Sequence, residues 1–383
     1  MIDNPFLQTP AQTSAPINHF GERLVLVFQG GGALGSYQAG VYEALAAADA
    51  RPDWIAGISI GAINAALIAG NAPGRRVAAL HEFWHDVSSS FAVRLPLPGD
   101  FLKTVFSEAS AASALLGIPG FFHPRVPPTY VLPASDPGAL GFYDTSPLSR
   151  TLERLVDFDR LNDGSIRVSL GAVNVATGNF KYFDTTEQRL GPEHIMASGA
   201  LPPGFPPVRI GDDWYWDGGL VSNTPLSYVL DQDREDDLCV FQVDLFPAAG
   251  PMPDSIFDLP EREKDIRFSS RTRLNTDMVK DKQRERRAMH RLLAKLPPEF
   301  ADDPDASLLR ERSNDSAVTL VHLINRRKPW TRDSKDYEFS RRTVTERWSD
   351  GRHDAQTTLG HETFLNRRRP AFGIEVLDLC DAG

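Results

Sequence analysis

The residues with the clearest potential for chemistry form a Gly-x-Ser-x-Gly turn that spans Gly57–Gly61. A short strand-like run, 53–56 (DWIA), precedes this turn, and an apolar helical segment, AINAALIAG, follows it. In a sharp strand-to-helix bend of this kind, the hydroxyl of Ser59 is pushed out at the top of the sheet, and Gly57 and Gly61 leave room where larger side chains would clash. The N-terminus of the following helix directs unpaired N–H groups at the same point. The pattern therefore predicts Ser59 as a nucleophile.

A glycine-rich loop supplies a second part of such a site. The apolar run 23–28 (RLVLVF) is followed by the loop Gly30–Gly35 (GGGALG) and then by a helical segment. The N–H groups of Gly30, Gly31 and Gly32 would lie at the carboxyl end of a strand, where open α/β sheets place their sites. Donors at that position stabilise an oxyanion that develops on a reacting carbonyl.

A serine hydroxyl also needs a base, and the sequence offers two kinds. The segment Asp217-Gly218-Gly219 comes directly after the strand-like run 214–216 (WYW), so the carboxylate of Asp217 can reach over the sheet. A carboxylate can act alone as a base if a partly dry site raises its pKa. The other candidate is a histidine that completes a triad, which in the α/β-hydrolase order follows the acid.

The histidines form no recognisable catalytic or metal-binding motif. Those that follow Asp217 and so qualify for a triad are His290, His322, His353 and His361. Those that precede it outside the N-terminal segment are His81, His85, His123 and His194. His81 and His85 lie four residues apart on one predicted helix, but no carboxylate motif accompanies them, so surface or packing roles are favoured over zinc binding.

Composition narrows the class of protein. The 383 residues carry a net charge of −10, which argues against general nucleic-acid binding. Cys239 and Cys380 are the two cysteines, and both fall in strand-like segments, so we expect buried free thiols rather than a disulfide framework. The first 20 residues lack the basic and apolar regions of a signal peptide, and no apolar run approaches ~18 residues. We therefore expect a soluble, cytoplasmic protein, with peripheral contact at a membrane as an option that the sequence leaves open.

The charge distribution indicates a boundary near residue 250. Residues 1–255 carry 15 Lys and Arg against 28 Asp and Glu, whereas residues 256–383 carry 26 against 23. The segment AAGPMPDS at the boundary has the composition of a linker. We therefore expect a flexible N-terminal arm over 1–20, a catalytic domain over 21–250 and a C-terminal extension over 251–383 that packs on it.

The order of predicted elements favours an α/β fold, because strand-like and helical segments alternate from residue 21 to about residue 245. Residues 91–143 are apolar, aromatic and punctuated by Pro and Gly; they predict either a lid or wall of an acyl pocket, or an irregular insertion packed on the core. The extension predicts a charged helix over 256–297, strands over 316–325 and 372–379, and a helix over 335–359. In the charged helix, apolar residues lie on roughly one face: Leu274, Met278, Met289, Leu292 and Leu296.

The three motifs, in this order, resemble those of the patatin-like lipid acyl hydrolases. The resemblance covers about residues 23–245 and extends to Ala197–Pro202, Phe205–Pro207 and Asn223–Leu226. It implies a three-layer α/β/α fold around a mainly parallel central sheet. The segment after residue 250 is similar to the C-terminal extension of a bacterial patatin-like subgroup.

The resemblance also implies a mechanism and a substrate class. Ser59 would attack an ester carbonyl after giving its proton to Asp217, and water activated by Asp217 would release the fatty acid from an acyl-serine. Gly30, Gly31 and Gly32 would form the oxyanion hole, and no histidine, metal or cofactor would be needed. The substrate would be a lipid or another acyl ester. The chain departs from the family at Leu34, where many members carry Arg or Lys in the glycine loop.

Two other functions are weighed against a lipid hydrolase. The Gly-x-Gly-x-x-Gly spacing in the glycine loop also occurs in dinucleotide-binding oxidoreductases, but Ser59 occupies the strand end where their acidic residue is expected. A non-enzymatic protein on the same fold, which binds a membrane surface or a partner, would draw support from two basic clusters. These are Arg326–Trp330 and Arg367–Arg369. The sequence predicts no oligomeric state.

Overall fold

The computed structural model describes residues 21–88, 117–133, 135–232, 236–300, 302–326 and 338–380, without the side chains of 257 and 270–276. The N-terminal arm predicted over 1–20 therefore lies outside the described residues. The same holds for 91–116 of the irregular segment and for 327–330 of the first basic cluster.

The strands of the described residues form one large sheet and one small pair. In chain order they are β1 Arg23–Phe28, β2 Trp54–Ile58, β3 His123–Pro124, β4 Tyr143–Asp144, β5 Arg167–Asn174, β6 Phe180–Asp184, β7 Val208–Ile210, β8 Asp213–Asp217, β9 Leu238–Asp244, β10 Val318–Ile324 and β11 Ile374–Leu377. The large sheet has the order β11-β10-β9-β1-β2-β5-β8-β7, and β6 pairs with β5. Neighbours from β11 to β5 are parallel, whereas β6, β7 and β8 are antiparallel to their partners.

Helices cover both faces of this sheet. They are α1 Ser36–Ala47, α2 Ile60–Ala69, α3 Arg76–Asp86, α4 Ser146–Leu155, α5 Phe158–Leu161, α6 Pro192–Ser198, α7 Leu226–Asp231, α8 Leu259–Leu293, α9 Pro304–Arg312, α10 Arg341–Gly360 and α11 Glu362–Leu365. Alternate residues of β1 point to opposite faces: Leu24 and Leu26 pack in a core with α1, α2 and α10, whereas Val25 and Val27 pack with α7 and α8. The predicted three-layer α/β/α fold with a mainly parallel sheet is therefore confirmed.

The sheet brings two strand ends together head to head. β2 and β8 lie along the same edge of β5, because Ile58 pairs with Gly171 and Asp217 pairs with Ala172, while β6 occupies the opposite edge. β2 is parallel to β5 and β8 is antiparallel, so the carboxyl ends of β2 and β8 meet. The residues that follow these strands therefore share one place at the top of the sheet.

The C-terminal extension continues the same sheet. β10 pairs in parallel with β9, and β11 pairs in parallel with β10. On one face, α10 packs directly against α1. A Cβ at Gly40 would lie 1.9 Å from the carbonyl oxygen of Trp348, and a Cβ at Gly351 would lie 2.0 Å from that of Tyr37. The two helix backbones thus touch, and only glycine fits at these crossing points.

The apolar face predicted for the charged helix is not its packed face. Met278 and Leu292 of α8 are each 61% exposed, whereas Val279, Gln283 and Arg287 are buried. The side chain of Leu274 lies outside the described residues, Met289 is half-buried, and Leu296 follows the helix end. Polar contacts replace apolar ones: the side chain of Gln283 donates to the carbonyl oxygen of Ser316 at 2.7 Å, and that of Arg287 to the carbonyl oxygen of Pro370 at 2.9 Å. No helix in the described residues combines the length and the apolar character needed to cross a membrane.

Candidate active site

Ser59 lies between β2 and α2 in a strained backbone conformation. Its φ of 55° and ψ of −120° are unusual for a residue with a side chain. The N–H of Ser59 donates to Oγ of Ser198 at 3.0 Å, and that hydroxyl donates to the carbonyl oxygen of Gly171 at 2.7 Å. α6 and β5 therefore hold the turn in place, a role that the sequence did not reveal for Ser198.

The two glycines of the turn are required by close backbone contacts. A Cβ at Gly57 would lie 2.4 Å from the carbonyl oxygen of Gly61, and a Cβ at Gly61 would lie 2.5 Å from that of Phe28. Because both obstacles are backbone atoms, neither position accepts a side chain. The sharp bend that lifts Ser59 above the sheet depends on this tight packing of β1, β2 and α2.

Asp217 ends β8 and accepts two hydrogen bonds. The Ser59 hydroxyl donates to its carboxylate, and the N–H of Gly219 donates to its Oδ1 at 2.7 Å. The residue is 3% exposed. Burial raises the pKa of Asp217 from 3.8 to about 6, although the two hydrogen bonds act in the opposite direction. A carboxylate of this basicity, bonded to a serine hydroxyl, is suited to accept that hydroxyl's proton.

Gly218 lets the Asp-Gly-Gly turn lie close to the sheet. A Cβ at Gly218 would lie 2.6 Å from the carbonyl oxygen of Gly171, and one at Gly219 would lie 3.1 Å from Oδ1 of Asp217. Small residues after Asp217 thus keep the carboxylate next to β2 and leave it open towards the cavity above. The sequence placed these glycines in the motif, and the contacts supply the physical reason.

The glycine loop lies beside Ser59, but its three N–H groups are not equivalent. The N–H of Gly30 donates to the carbonyl oxygen of Asn223 at 3.2 Å. The N–H of Gly30 therefore already has a protein acceptor, and its oxyanion role stays a prediction. In the described part of the chain, no protein acceptor is recorded for the N–H groups of Gly31 and Gly32, which remain as candidate donors. Gly32 has a φ of +53°, and a Cβ at Gly35 would lie 2.5 Å from Ile60, so the loop also turns tightly into α1.

Asn223 and Gln29 fix the loop from both sides. Nδ2 of Asn223 donates to the carbonyl oxygen of Gly30 at 3.0 Å, which completes a two-bond clamp. The fully buried side chain of Gln29 accepts from the N–H groups of Leu245 and Phe246 and donates to Oγ1 of Thr224. Asn223 was noted in the sequence only as part of a family motif. Its partner lies 193 residues away, a contact that no local pattern reports.

A cavity of about 400 Å³ opens above Ser59 and Asp217. Its wall includes an aromatic group from the region predicted as an acyl-pocket wall and its neighbours: Phe121, Phe122, Tyr143 and Phe205. Among the described residues that line this cavity, Asp217 is the only charged one. Two further lining residues, Phe268 of α8 and Phe339 just before α10, come from the C-terminal extension, which the sequence did not connect to the site.

Other chemistry has less support in the described residues. No histidine lines the cavity, and no group of three His, Cys, Asp or Glu side chains gathers in a way that could hold a metal ion there or elsewhere in the described ranges. Asp53 is the acidic residue nearest to the second strand, where a dinucleotide-binding protein would need an acid at the carboxyl end. It accepts from the N–H of Leu24 at 2.7 Å, at the opposite end of the strands from Ser59. Leu34 is buried in the core beneath the loop.

Comparisons with known proteins agree with this architecture. A family model described as patatin-like phospholipase matches residues 26–230, and a second, described as patatin phospholipase, matches residues 266–371. No curated protein sequence matches the chain.

Solved structures that match the chain include VipD from Legionella pneumophila (13% identity, TM-score 0.38), human GIVD cytosolic phospholipase A2 (11%, 0.43) and the type III effector protein ExoU from Pseudomonas aeruginosa (14%, 0.34). The matches cover 92%, 88% and 90% of this chain, but 67%, 59% and 53% of the respective relatives. The chain thus spans little more than half the length of two of these proteins.

Proposed function

Since the chain belongs to the patatin-like phospholipase family, we propose that it hydrolyses fatty-acyl esters of lipids by means of a Ser59–Asp217 dyad. The observation that carries this proposal is the hydrogen bond from the Ser59 hydroxyl to a buried carboxylate whose pKa is raised to about 6. The pair lies at the base of an apolar cavity, beside backbone N–H groups without a protein acceptor in the described residues.

In the first half of the reaction, Oγ of Ser59 attacks the ester carbonyl carbon and its proton passes to the carboxylate of Asp217. The N–H groups of Gly31 and Gly32, with the N-terminus of α2, donate to the oxyanion of the tetrahedral intermediate. When the ester C–O bond breaks, protonated Asp217 returns the proton to the leaving alkoxide. The products of this half are an alcohol and an acyl-serine.

In the second half, water replaces the alcohol above Asp217. The carboxylate accepts a proton from water as the oxygen attacks the acyl carbonyl, and the same donors stabilise the second oxyanion. The proton then returns from Asp217 to Oγ of Ser59 as the acyl bond breaks. A fatty acid is released and the resting dyad is restored.

The lining of the cavity supports an acyl chain as the group that enters it. Aromatic and aliphatic side chains surround the space, and burial of each CH₂ against such a surface contributes about 0.8 kcal/mol. The described lining residues include no cationic side chain that would pair with a phosphate group. We therefore propose that the acyl chain lies inside and that the alcohol part of the lipid stays at the mouth.

Labelling with a fluorophosphonate, followed by intact mass measurement and peptide mapping, tests the proposal. We expect one adduct, on Ser59, and none on Ser59→Ala. We also expect Ser59→Ala to lose ester hydrolysis by more than about three orders of magnitude, as removal of a nucleophile does. A folded protein that neither reacts with the probe nor hydrolyses esters, even with vesicles present, would overturn the proposed hydrolase activity and favour the non-enzymatic, membrane-binding alternative.

A further inference from the structure

A loop projects beside the mouth of the cavity, and we call its described residues, 125–133 and 135–142, the proline loop. Its base is the antiparallel pair β3–β4, and the N–H of Arg125 donates to the carbonyl oxygen of Phe142 at 3.1 Å. The loop contains four prolines: Pro127, Pro128, Pro133 and Pro137. Since each proline fixes its own φ, this composition restricts the loop's backbone.

The proline loop is attached to the wall of the cavity. The N–H of Phe142 donates to the carbonyl oxygen of Pro203 at 3.1 Å, and a Cβ at Gly141 would lie 2.3 Å from the nitrogen of Pro206. Within the loop, Oγ1 of Thr129 donates to the carbonyl oxygen of Gly141 at 2.7 Å. These contacts attach the base of the loop to the cavity wall and hold Thr129 against it.

The proline loop displays large apolar side chains to solvent. Val126 is 87% exposed and Tyr130 is 86% exposed, and three more are over half exposed: Val131, Leu140 and Phe142. The charged residues of the loop are one arginine and one aspartate, Arg125 and Asp136. Such a cluster on a rigid loop is unfavourable in water and indicates a binding surface.

We propose that the proline loop inserts into the surface of uncharged or zwitterionic lipid and seats the cavity mouth on it. This proposal rests on the proposed function and adds the site of interfacial binding. Phe142 provides the link, because it is 59% exposed on the loop and also lines the cavity. The apolar surface is therefore continuous from the loop to Ser59, and an acyl chain can move from lipid to the cavity without crossing water. The near absence of charge on the loop favours neutral over anionic lipid.

The basic clusters of the extension are less suited to this role where the structure describes them. Arg326 pairs with Asp378 at 2.8 Å, and Arg369 pairs with Asp237 at 2.7 Å. Arg367 is buried and pairs with Glu22. These three arginines are therefore paired with carboxylates of the protein itself, whereas Arg368 is exposed. An anionic lipid would have to compete with those partners.

The test compares a variant of the proline loop with a control variant elsewhere on the surface. In both, exposed apolar residues are replaced by aspartate. One is the double variant Val126→Asp/Tyr130→Asp, whose residues do not line the cavity. The control is Phe372→Asp. Phe372 is 75% exposed and precedes the edge strand β11, so it lies at the amino end of the parallel strands, whereas Ser59 follows the carboxyl end of β2. Each is made in active protein and in the Ser59→Ala background, so that binding to phosphatidylcholine vesicles is measured by flotation without turnover. Thermal unfolding midpoints verify the fold.

We expect the loop variant to lose vesicle binding and vesicle hydrolysis by on the order of tenfold or more, because two apolar contacts with lipid are replaced by charges. Its hydrolysis of a dissolved short-chain ester should stay within about twofold of the parent protein, and Phe372→Asp should match the parent in every assay.

Binding that persists in the loop variant would overturn the proposal, as would binding that requires anionic lipid and disappears at high salt. Association of the parent protein into dimers that the loop variant abolishes, without any vesicle binding, would assign the loop to a second copy of the chain instead. Absence of ester turnover in the parent would contradict the proposed function but leave the vesicle result to decide the loop.

Discussion

At the scale of residues, the candidate site combines strain with burial. Ser59 adopts a positive φ, and Asp217 carries an ionisable group at 3% exposure. Both arrangements cost stability and persist only because neighbours impose them. Ser198 binds the N–H of Ser59, and Gly219 binds the carboxylate of Asp217. Backbone strain and a buried ionisable group of this kind are typical of sites where a side chain must be kept reactive.

The raised pKa of Asp217 sets the pH dependence that we expect. Asp217 accepts a proton only when it is ionised, so activity falls as pH drops through its pKa. We therefore expect kcat/KM for an uncharged, dissolved ester to decline below about pH 6, rather than near the usual value of 3.8. Steady-state rates measured between pH 4 and 8 test this. Below the midpoint, kcat/KM should fall by about one logarithmic unit per pH unit. A rate that stays constant down to pH 4 in a folded protein would contradict Asp217 as the base.

Asn223 is expected to be a positioning residue for the oxyanion donors. Asn223→Ala removes the bond to the carbonyl oxygen of Gly30 and leaves that buried oxygen without a side-chain donor. The glycine loop should then relax away from its position beside Ser59. Because oxyanion donors act only at well-defined distances, we expect kcat to fall by about tenfold to a hundredfold with KM little changed.

Asn71→Ala is the matched control for this substitution. The amide of Asn71 donates to the carbonyl oxygens of Leu67 and Leu155, so its loss removes a comparable clamp away from the site. Both variants should lose about 1–3 kcal/mol of unfolding free energy. An equal fall in kcat for the two variants, or a normal kcat for Asn223→Ala, would reduce Asn223 to a structural role.

The sequence could predict those residues whose roles depend on local geometry. Ser59, Gly57 and Gly61 belong to one tight bend whose spacing is visible in the sequence, although the backbone that Gly61 must approach is that of Phe28 on β1. Asp217 could be proposed because it ends a strand. The acceptor of the Gly30 N–H could not be predicted in this way, since it is the carbonyl oxygen of Asn223, far away in the chain.

At the scale of elements, the site depends on a pairing that local patterns do not contain. The carboxyl ends of β2 and β8 meet only because β8 runs antiparallel along the edge of β5 that β2 leaves. The strands themselves were foreseeable from their apolar runs. Their order in the sheet was not, because it is set by contacts between segments that are distant in the chain, such as Ile55 with Val168 and Ala172 with Asp217. The same limitation hid the contribution of the extension to the cavity.

Phe339 provides a test of that contribution. It is 2% exposed, and its ring centroid lies 5.9 Å from that of Phe121 in the cavity wall. Phe339→Leu removes part of the wall, so we expect kcat/KM to shift towards longer or bulkier acyl chains. A series of dissolved and micellar esters of increasing chain length measures the profile. We expect a change of about 10–200-fold in relative kcat/KM at most, the range that one or two methylene-sized spaces can produce.

Phe364→Leu is the matched control for Phe339→Leu. Phe364 is also 2% exposed and belongs to the extension, but its ring packs against Phe241 of β9 and does not line the cavity. Both substitutions should reduce stability through the space they leave. An unchanged chain-length profile in folded Phe339→Leu, or the same shift in both variants, would show that the extension supports the fold without shaping specificity.

At the scale of the whole molecule, one sheet contains strands from both the predicted catalytic domain and the C-terminal extension, which the sequence distinguished by their net charge. The change from a net acidic to a slightly basic composition near residue 250 predicted a boundary. In the structure, β10 and β11 continue the sheet that begins with β1 and β9, and α10 packs on α1. Composition reports solvent-facing charge, whereas strand pairing is decided by buried apolar residues. The two can therefore change at different places.

A buried ion pair ties the beginning of the described chain to its end, and it yields a prediction for the whole fold. The guanidinium of Arg367 pairs with the carboxylate of Glu22 at 2.9 Å, with side-chain exposures of 1% and 2%, and Glu22 also accepts from Oγ1 of Thr319 on β10. Arg367→Met leaves Glu22 as a buried charge without its cation. We therefore expect a loss of about 3–5 kcal/mol in unfolding free energy, measured by urea denaturation.

Arg369→Met is the control for that loss, because it removes a cation two residues away whose ion pairs are partly exposed. Arg369 contacts Asp237 and Asp315 with 41% of its side chain exposed, so its removal should cost less than about 1 kcal/mol. If the sheet is one cooperative unit, the circular dichroism signal and ester hydrolysis should be lost together within each of the three proteins, although the urea midpoint differs between proteins. Activity that survives an earlier, separate transition in Arg367→Met would mean that the extension unfolds on its own. In that case, Phe268 and Phe339 would not be needed to close the cavity, and the extension's part in specificity would have to be sought elsewhere.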